Sequence, residues 1–417
     1  MPPVLDQWLD QKRQAALTAF QTKGFPTTND EAWRFTNISP IANTSFSPTP
    51  KEIAVDATQL QPLLFPGLDR FQIVFINGHW SEKLSHIPSI AGVSIQSLAH
   101  ILKNDSRSLE TYLGKSIAIS ENAFELLNTY SFEDGLFLSI AKGIRVEMPI
   151  HLVYFSTSSE TPTASHPRNL IVTGQDSQVA VIETTMSLAN QPYWTNMVTE
   201  IFLGENSRLD HYKIQQESLL AYHTSSLQVR QARSSNFQSH AILLGGAIVR
   251  NNINIALAEE GSECSLHGLY LTTGSQLTDS HTFIDHIKPH CTSRELYKGI
   301  LDEKSRGVFD GQIIVRENAQ KSDAVQTNRN LLLSDAALVN TKPELKIFNN
   351  DVKCKHGATV GQLNNESLFY LRSRGIPLAE ARKLLIFAFA SEMIELVDIP
   401  ALRQGLETLL FAKFQHP

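Results

Sequence analysis

The sequence predicts a large, mainly β core between N-terminal and C-terminal helical segments. Residues 1 to about 130 contain apolar residues at helical spacing, and a long series of short apolar runs begins near residue 135. Helical spacing returns after Asn364. With 417 residues, the chain is long enough for two or three structural units and a sizeable hydrophobic core.

The N-terminal segment is expected to be mixed and mainly helical. Apolar residues recur every three or four positions over residues 5–20, and a second short helix is expected over residues 30–35. The apolar run over residues 71–76 predicts a strand that ends in an Asn77-Gly78 turn. Helical spacing then predicts further helices within residues 95–130.

The central region is expected to consist of short strands separated by Ser, Asn, Gly and Asp turns. Apolar runs predict strands over residues 136–140, 151–155, 169–172, 179–183, 252–257, 266–271, 282–284, 311–315, 337–340 and 345–348. No strict repeat period is apparent, so a sandwich, a barrel and a coiled β-helix all stay open on the pattern alone.

The C-terminal region predicts two helices separated by a break at Pro400. Gly375-Ile376-Pro377 precedes the first of these helices, which is apolar on nearly every side. One face would pack on the chain itself and another would be left over, which favours a docking surface for another subunit. The competing interpretation is that both helices only cap the β core.

Composition limits the classes of function. Lys plus Arg (36) against Asp plus Glu (42) gives a net charge of -6, so no overall positive field would attract nucleic acid or an anionic membrane. The longest apolar run, residues 384–390, is far shorter than a membrane span. Three widely separated cysteines and a start without a secretory signal pattern favour a reducing, cytoplasmic compartment.

The sequence contains no strong catalytic or metal-binding motif. The Gly245-Gly246 stretch lacks the Gly-Lys-Ser/Thr of a phosphate-binding loop, and neither Cys-x-x-Cys nor His-Glu-x-x-His occurs. Two groups of residues are weak candidates. A metal site could use His281, Asp285, His286, His290 and Cys291, and an acid–base pair could come from Asp302, Glu303 and Asp310. For both groups, the favoured interpretation is that they are ordinary polar groups of loops, strands and the surface.

Cys354 and His356 form the more informative pair. If residues 352–356 are extended, the thiol and the imidazole lie on the same face and could meet one metal ion. Lys353 and Lys355 on the opposite face would then lower the pKa of the thiol. A protease-like Cys/His pair, and a small buried thiol beside a surface imidazole, are the alternatives.

Several segments around this pair resemble the SufD family of the Suf iron–sulfur cluster assembly scaffold. The matching segments, in chain order, are residues 309–313, 327–334, 341–345, 351–361, 368–376 and 388–392, with a looser match at 31–36. In this family, position 350 is often acidic, whereas the present chain has Asn350. Cys354 and His356 both match the family pattern.

The resemblance implies a right-handed parallel β-helix over residues 131–366, flanked by helical domains over 1–130 and 367–417. It also implies a noncatalytic scaffold that pairs with a SufB-like subunit through the ends of the β-helices and docks a SufC-like ATPase. A transient iron–sulfur cluster would form at the junction, with His356 as the principal ligand on this side and Cys354 as its neighbour or co-ligand. ATP would act only through the partner ATPase.

The expected ATPase contact is the helix over residues 377–390. Its candidate contact residues are Pro377, Leu378, Ala381, Leu384, Leu385, Ala388 and Phe389. No nucleic acid or membrane partner is expected, and a homodimer of the isolated chain stays open. The alternative functions are a β-helical polysaccharide-active enzyme and a stand-alone zinc protein.

Overall fold

Most of the chain forms a parallel β-solenoid of about eight turns, built from two sheets. The computed structural model describes residues 7–50, 55–61, 64–87, 89–115, 122–157, 159–189 and 191–415. Within these residues, one sheet has eleven strands and the other has ten, and the strands pair in parallel except for β2 with β3 and β4 with β5. The mainly β fold class is therefore confirmed, and the β-helix is the architecture that forms.

The strands are as follows, in chain order. They are β1 (Ser47–Pro48), β2 (Phe71–Ile76), β3 (His79–Trp80), β4 (Val93–Ser97), β5 (Leu136–Ile140), β6 (Ile150–Ser156), β7 (Thr163–Ser165), β8 (Arg168–Thr173), β9 (Gln178–Ser187), β10 (Tyr193–Leu203), β11 (Arg208–Gln216), β12 (Ala221–Gln231), β13 (Asn236–Leu243), β14 (Ile248–Leu257), β15 (Glu263–Thr272), β16 (Leu277–His286), β17 (Thr292–Leu301), β18 (Arg306–Val315), β19 (Asp323–Leu332), β20 (Leu338–Ile347) and β21 (Lys353–Gly361).

Successive long strands alternate between the two sheets, so each solenoid turn contributes one strand to each sheet. The larger sheet ends with β16, β18 and β20, and the smaller sheet ends with β17, β19 and β21. Side chains alternate between the lumen and the outside, as in β14, where Ile253 and Ile255 are buried in the central core. Ile248 pairs with Leu277 and Leu277 pairs with Arg306, which fixes the register of successive turns.

Most predicted strands are confirmed, but two details differ. The runs over 337–340 and 345–348 belong to one strand, β20, which continues through Pro343 at the end of the sheet. The long strands β10 to β13, β17 and β19 were not predicted, because they carry many polar residues. Several of these polar residues are buried and hydrogen-bonded, as with Lys213, which donates to Ser225.

The helices are α1 (Gln7–Lys23), α2 (Ser39–Ala42), α3 (Ala57–Leu60), α4 (Leu98–Asn104), α5 (Ala123–Ser131), α6 (Asn365–Ser373), α7 (Leu378–Ile394) and α8 (Pro400–Gln415). Leu5, the predicted start of the first helix, lies outside the described residues. The predicted second helix is only a short 3-10 turn, Glu31–Trp33. The predicted turn after β2 is confirmed, since Asn77 and Gly78 both have positive φ.

The N-terminal region contributes to the solenoid as well as to the helices beside it. Strand β2 pairs with β6 in the smaller sheet, and β4 pairs with β5 in the larger sheet. The division into three domains at residues 130 and 366 stays a prediction.

A buried ionic cluster joins the N-terminal segment to the outer face of the larger sheet. Asp279 accepts hydrogen bonds from Arg250 and from the Thr36 hydroxyl, and it lies 3.0 Å from His281 Nε2. The Arg250 guanidinium also lies 4.1 Å from the centroid of the Trp33 ring. These contacts hold the segment around Trp33 against β14 and β16.

Helices α7 and α8 cover the outer face of the smaller sheet. Their inner side chains, among them Met393, Leu402 and Leu406, share one buried cluster with Tyr212 and Ile242 of the sheet. Lys298 of β17 reaches α7, where its ammonium group donates to the Phe389 carbonyl and to Glu392. Within the described residues, no helix is long and apolar enough to cross a lipid bilayer.

Candidate functional site

The solenoid has an uncovered end at β20 and β21, the last strands of the two sheets. Among the described residues, no other strand pairs with the outer edge of either one. Every residue of β21 is exposed except Cys354, which is half-buried. Large apolar side chains are also exposed at this end, namely Leu338, Ile347, Phe348 and Val360. An unpaired edge with exposed apolar groups is typical of a surface that pairs with another chain.

Cys354 and His356 lie on the lumen-facing side of β21, at this end. Their register partners on β19 are Ala324 and Gln326, which are both buried in the lumen. Because the pairing is parallel and in register, the side chains of β21 share the inward direction of their partners. The predicted same-face arrangement is therefore present, with the thiol nearer the central core and the imidazole exposed.

A backbone carbonyl orients the imidazole of His356. His356 Nδ1 lies 3.0 Å from the carbonyl oxygen of Pro343, on the opposite sheet. Since a carbonyl can only accept, Nδ1 must carry a proton and donate it, so Nε2 is the ring nitrogen that remains for a metal. Histidine ligands of metals commonly show this arrangement, in which the ring N–H that faces away from the metal is held by a carbonyl or a carboxylate.

The predicted lowering of the thiol pKa is wrong. Burial raises the pKa of the Cys354 thiol, Asp323 raises it further, and a backbone hydrogen bond from Ala324 only partly opposes this. Lys353 and Lys355 are exposed, so water screens their charge from the thiol. A metal would therefore have to displace the proton of the Cys354 thiol before this side chain could bind it.

The lumen directly below His356 is polar. Glu295, Gln326 and His356 occupy matching register positions on β17, β19 and β21. Gln326 Nε2 donates to Glu295 Oε2 over 2.7 Å, and both side chains are buried. Burial raises the pKa of the Glu295 carboxyl to about 7, although the neighbouring Thr282 hydroxyl and Gln326 amide oppose this.

Replacing Glu295 by Gln is expected to stabilise the fold at alkaline pH. The pKa of this carboxyl is raised on folding, so its contribution to stability is lost as the pH rises from about 4.5 to about 7. Glu295→Gln should raise the free energy of unfolding by up to about 3 kcal/mol at pH 8 and by little at pH 4.5. Urea unfolding midpoints at the two pH values measure this, with exposed Glu366→Gln as the control. An equal gain at both pH values would contradict it.

The predicted docking residues of α7 are not all at the surface. Leu378 is 47% exposed and Leu384 is 50% exposed, and Pro377 and Ala388 are also exposed. Leu385 is half-buried. Ala381 is completely buried, and the Phe389 ring contacts the ammonium group of Lys298 at 4.4 Å, on the sheet side of the helix. Of the predicted contact residues, Leu378, Leu384 and Ala388 therefore lie on the outer face of α7, and Pro377 is exposed just before the helix.

The weaker metal candidates point to different places. His281 lies on the outer face of β16 beside Asp279, and Asp285 pairs with Arg316. His286 is buried in the lumen beside Ser293, His290 is exposed on a turn, and Cys291 is buried. In the part of the chain that the structure describes, no three His, Cys, Asp or Glu side chains are grouped so that they could hold a metal ion.

The candidate acid–base residues are also separated. Asp302 and Glu303 lie on the turn between β17 and β18, where Glu303 accepts a hydrogen bond from the Gly274 amide. Asp310 lies in the middle of β18 and lines a groove of about 750 Å³ between the larger sheet and the N-terminal segment. These three carboxylates therefore do not form one catalytic site.

Two features of this end could not be found from the sequence pattern. Gln326 lies one solenoid turn before His356 and Glu295 lies two turns before it, and only the three-dimensional register brings the three together. Helix α6 has no buried residue, and its aromatic rings Phe369 and Tyr370 are 74% and 56% exposed. Exposed rings on a helix without a buried face indicate a contact surface.

Two family models match nearly the whole chain. Residues 154–389 match the SufBD core domain of the SUF system for FeS cluster assembly, and residues 5–152 match the N-terminal region of SufBD proteins. The core match includes the central turns of the solenoid, Cys354, His356 and most of α7.

Individual relatives are similar over most of their length. An iron–sulfur cluster assembly SufBD family protein of Synechocystis is 33% identical over 410 residues, which cover 96% of this chain and 90% of the relative. The iron–sulfur cluster assembly protein SufD of Escherichia coli is 32% identical over 383 residues (91% and 87%), and that of Bacillus subtilis is 26% identical over 327 residues (77% and 74%). The chain therefore belongs to the SufBD family of iron–sulfur cluster assembly proteins and is of the SufD type.

Proposed function

We propose that this chain is a noncatalytic, cytoplasmic scaffold subunit that supplies one side of a site where an iron–sulfur cluster forms transiently. The observation that carries this proposal is the position of Cys354 and His356 on the inward face of the last strand, at the uncovered end of the solenoid. His356 is the principal ligand, because the Pro343 carbonyl holds Nδ1 and leaves Nε2 as the ring nitrogen for the metal. Cys354 is the co-ligand.

One chain cannot complete the site. Cys264 and Cys291 are buried in the core, so Cys354 is the single cysteine near the surface among the described residues. A cluster needs further ligands, usually thiolates. In the proposal, these ligands come from a SufB-like subunit whose solenoid end packs against β20 and β21. Among the described residues, the outer edges of these two strands are unpaired, and apolar side chains are exposed beside them.

The outer face of α7 is proposed to dock a SufC-like ATPase, through which ATP acts on the complex. Leu378 and Leu384 lie exposed on one helix whose other side is fixed to the smaller sheet. The exposed rings of Phe369 and Tyr370 on α6 extend the apolar surface at this terminus.

The test of the scaffold function is anaerobic reconstitution with iron and sulfide, followed by visible spectroscopy. The chain is examined alone and after co-expression with a SufB-like subunit. A cluster absorption band in the complex, and none in the isolated chain, is expected. A full-strength band from the isolated chain would contradict the shared site, and stoichiometric zinc in the isolated chain would favour a zinc protein instead.

Replacing Leu384 by Asp is expected to weaken binding of the ATPase subunit by at least about tenfold. The change removes an apolar contact of about 1.5–3 kcal/mol and adds a charge that the interface would have to desolvate. Surface plasmon resonance with the purified ATPase subunit measures the affinity. Leu219→Asp, at a leucine that is 57% exposed between β11 and β12, is the matched control and should bind normally.

Equal affinities of the Leu384 variant and the wild type would contradict this docking surface. A truncation after Gly375 is a less suitable test, because α7 and α8 cover apolar side chains of the smaller sheet. Their removal would expose Tyr212, Ile242 and their neighbours, so the shortened chain is expected to aggregate.

A further inference from the structure

We infer that the groove between the larger sheet and the N-terminal segment binds an extended arm of the partner subunit, which brings a lysine or an arginine to Asp310. This inference rests on the proposed end-to-end contact with a SufB-like subunit. The groove has a volume of about 750 Å³ and does not include the candidate ligands Cys354 and His356. Its occupant would extend the contact between the two subunits along the side of the solenoid.

The floor of the groove crosses five neighbouring strands of the larger sheet, from β12 to β20. Gln228 of β12 and Asn254 of β14 lie toward the inner end, and the half-buried ring of Phe283 on β16 lies in the middle. Lys342 and Lys346 of β20 lie at the other end. Four strand spacings of about 4.8 Å give a length of about 19 Å, which matches about six residues of an extended chain.

The groove leads to the uncovered end of the solenoid. Strand β20 is the last strand of the larger sheet, and no strand in the described part of the chain pairs with its outer edge. The partner subunit is proposed to pack against this same edge. A segment of the partner therefore needs to extend only about 19 Å from the junction to fill the groove as far as β12.

The wall of the groove is already ordered in the single chain. Trp33 lines the groove, and its ring centroid lies 4.1 Å from the Arg250 guanidinium. Arg250 also donates a hydrogen bond of 2.9 Å to the Ala32 carbonyl and is paired with the buried carboxylate of Asp279. A surface that is ordered in advance reduces the entropic cost of binding a flexible segment.

The floor suits the hydrogen-bonding groups of a polypeptide backbone. The amide of Asn254 makes no hydrogen bond to a described residue, and Gln312 uses its amide nitrogen to donate to Glu344 over 2.7 Å. Amide side chains both donate and accept, so they can bond the N–H and the C=O groups of an extended chain. Pockets for small molecules are lined mainly by apolar side chains, whereas most side chains that line this groove are charged or carry amides.

The charge of the groove favours a basic arm. Both lysines on β20 are held in ion pairs within the chain, Lys342 with Glu31 and Lys346 with Glu344. Asp310 of β18 is half-buried in the floor and forms no hydrogen bond or ion pair with another described residue. A carboxylate that is partly removed from water binds most favourably to a cationic donor, such as a lysine or an arginine.

The first test is photo-crosslinking of the full-length chain, co-expressed with the SufB-like subunit. Benzoylphenylalanine is placed at Phe283 on the groove floor, at exposed Phe348 beside the uncovered end, or at exposed Leu219 as the control. Links to the partner subunit are expected from the two phenylalanine positions and not from Leu219. The partner peptide that is linked to position 283 should contain a lysine or an arginine.

The outcomes of this test separate the inference from the proposed function. A link from position 348 without a link from position 283 would overturn the arm and leave the end-to-end contact intact. A link from position 283 to the ATPase subunit, or to a second copy of this chain, would also overturn it. If position 348 gives no link to the partner, the proposed end-to-end contact itself fails.

The second test, Asp310→Lys, addresses the charge of the arm. The variant is expected to bind the purified partner subunit about tenfold more weakly at low salt, with a smaller difference at high salt. Its melting temperature should not change, because Asp310 forms no hydrogen bond or ion pair with another described residue. Glu147→Lys, at an exposed carboxylate before β6, is the control and should bind normally. Equal affinities of Asp310→Lys and the wild type would overturn the assignment of a basic arm.

Discussion

Asp279→Asn is expected to destabilise the protein by about 3–5 kcal/mol, because it leaves the buried guanidinium of Arg250 without a countercharge. The pair is almost fully enclosed, with side-chain exposures of 3% for Arg250 and 0% for Asp279. Asp279 also binds Thr36 and His281, so the variant loosens the N-terminal segment at Trp33 as well. Urea unfolding followed by tryptophan fluorescence measures the effect.

A surface ion pair of the same region provides the control. Glu31 lies 2.8 Å from Lys342, but its side chain is 85% exposed, so water screens the pair. Glu31→Gln is therefore expected to leave the unfolding midpoint unchanged. An Asp279→Asn protein that unfolds at the wild-type midpoint would show that the buried cluster does not fasten the N-terminal segment.

The destabilisation should depend on pH in a defined direction. Although burial raises the pKa of the Asp279 carboxyl, Arg250 and His281 outweigh it and hold the pKa at about 2. A pKa that falls on folding gives stability that is present above the unfolded value near 3.8 and is lost as the pH falls toward 2. The difference between wild type and variant should thus be constant above about pH 5 and shrink in acid.

The sequence pattern predicts the parts of the fold that follow simple hydrophobic rules. Strands such as β14 were predicted because apolar side chains alternate with polar ones, and α7 because its break at Gly375 and its apolar spacing are both local signals. Strands β11 and β12 were missed because Lys213 and His223 face a lumen that satisfies them with hydrogen bonds and ion pairs. The solenoid repeat was missed because successive turns share the register of their strands, whereas the residue types at matching positions differ.

The same contrast applies to the candidate site. Cys354 and His356 could be found from the two-residue spacing of one strand, since neighbours at that distance share a face. Gln326 and Glu295 could not, because the solenoid joins positions that are a whole turn apart in sequence. Ala381 was predicted at a docking surface, yet helical spacing alone does not say which apolar face packs inward.

His356→Ala in the reconstituted complex is expected to reduce cluster formation by at least about tenfold. The variant removes the one nitrogen ligand that the Pro343 carbonyl already orients, whereas burial raises the pKa of the Cys354 thiol, which has to lose a proton before it can bind. Cys354→Ser should therefore have the smaller effect of the two. Assembly with the partners is expected to be unaffected, because the imidazole contributes little to the strand edges and apolar surface of the interface.

The most direct test of the scaffold function is the cluster absorbance per complex after anaerobic reconstitution, compared between wild type, His356→Ala and His100→Ala. His100 is an exposed histidine on α4 and serves as the matched control. The account predicts an intact complex in all three cases, a normal cluster yield for His100→Ala and a large loss for His356→Ala. A wild-type cluster yield from an intact His356→Ala complex would contradict it.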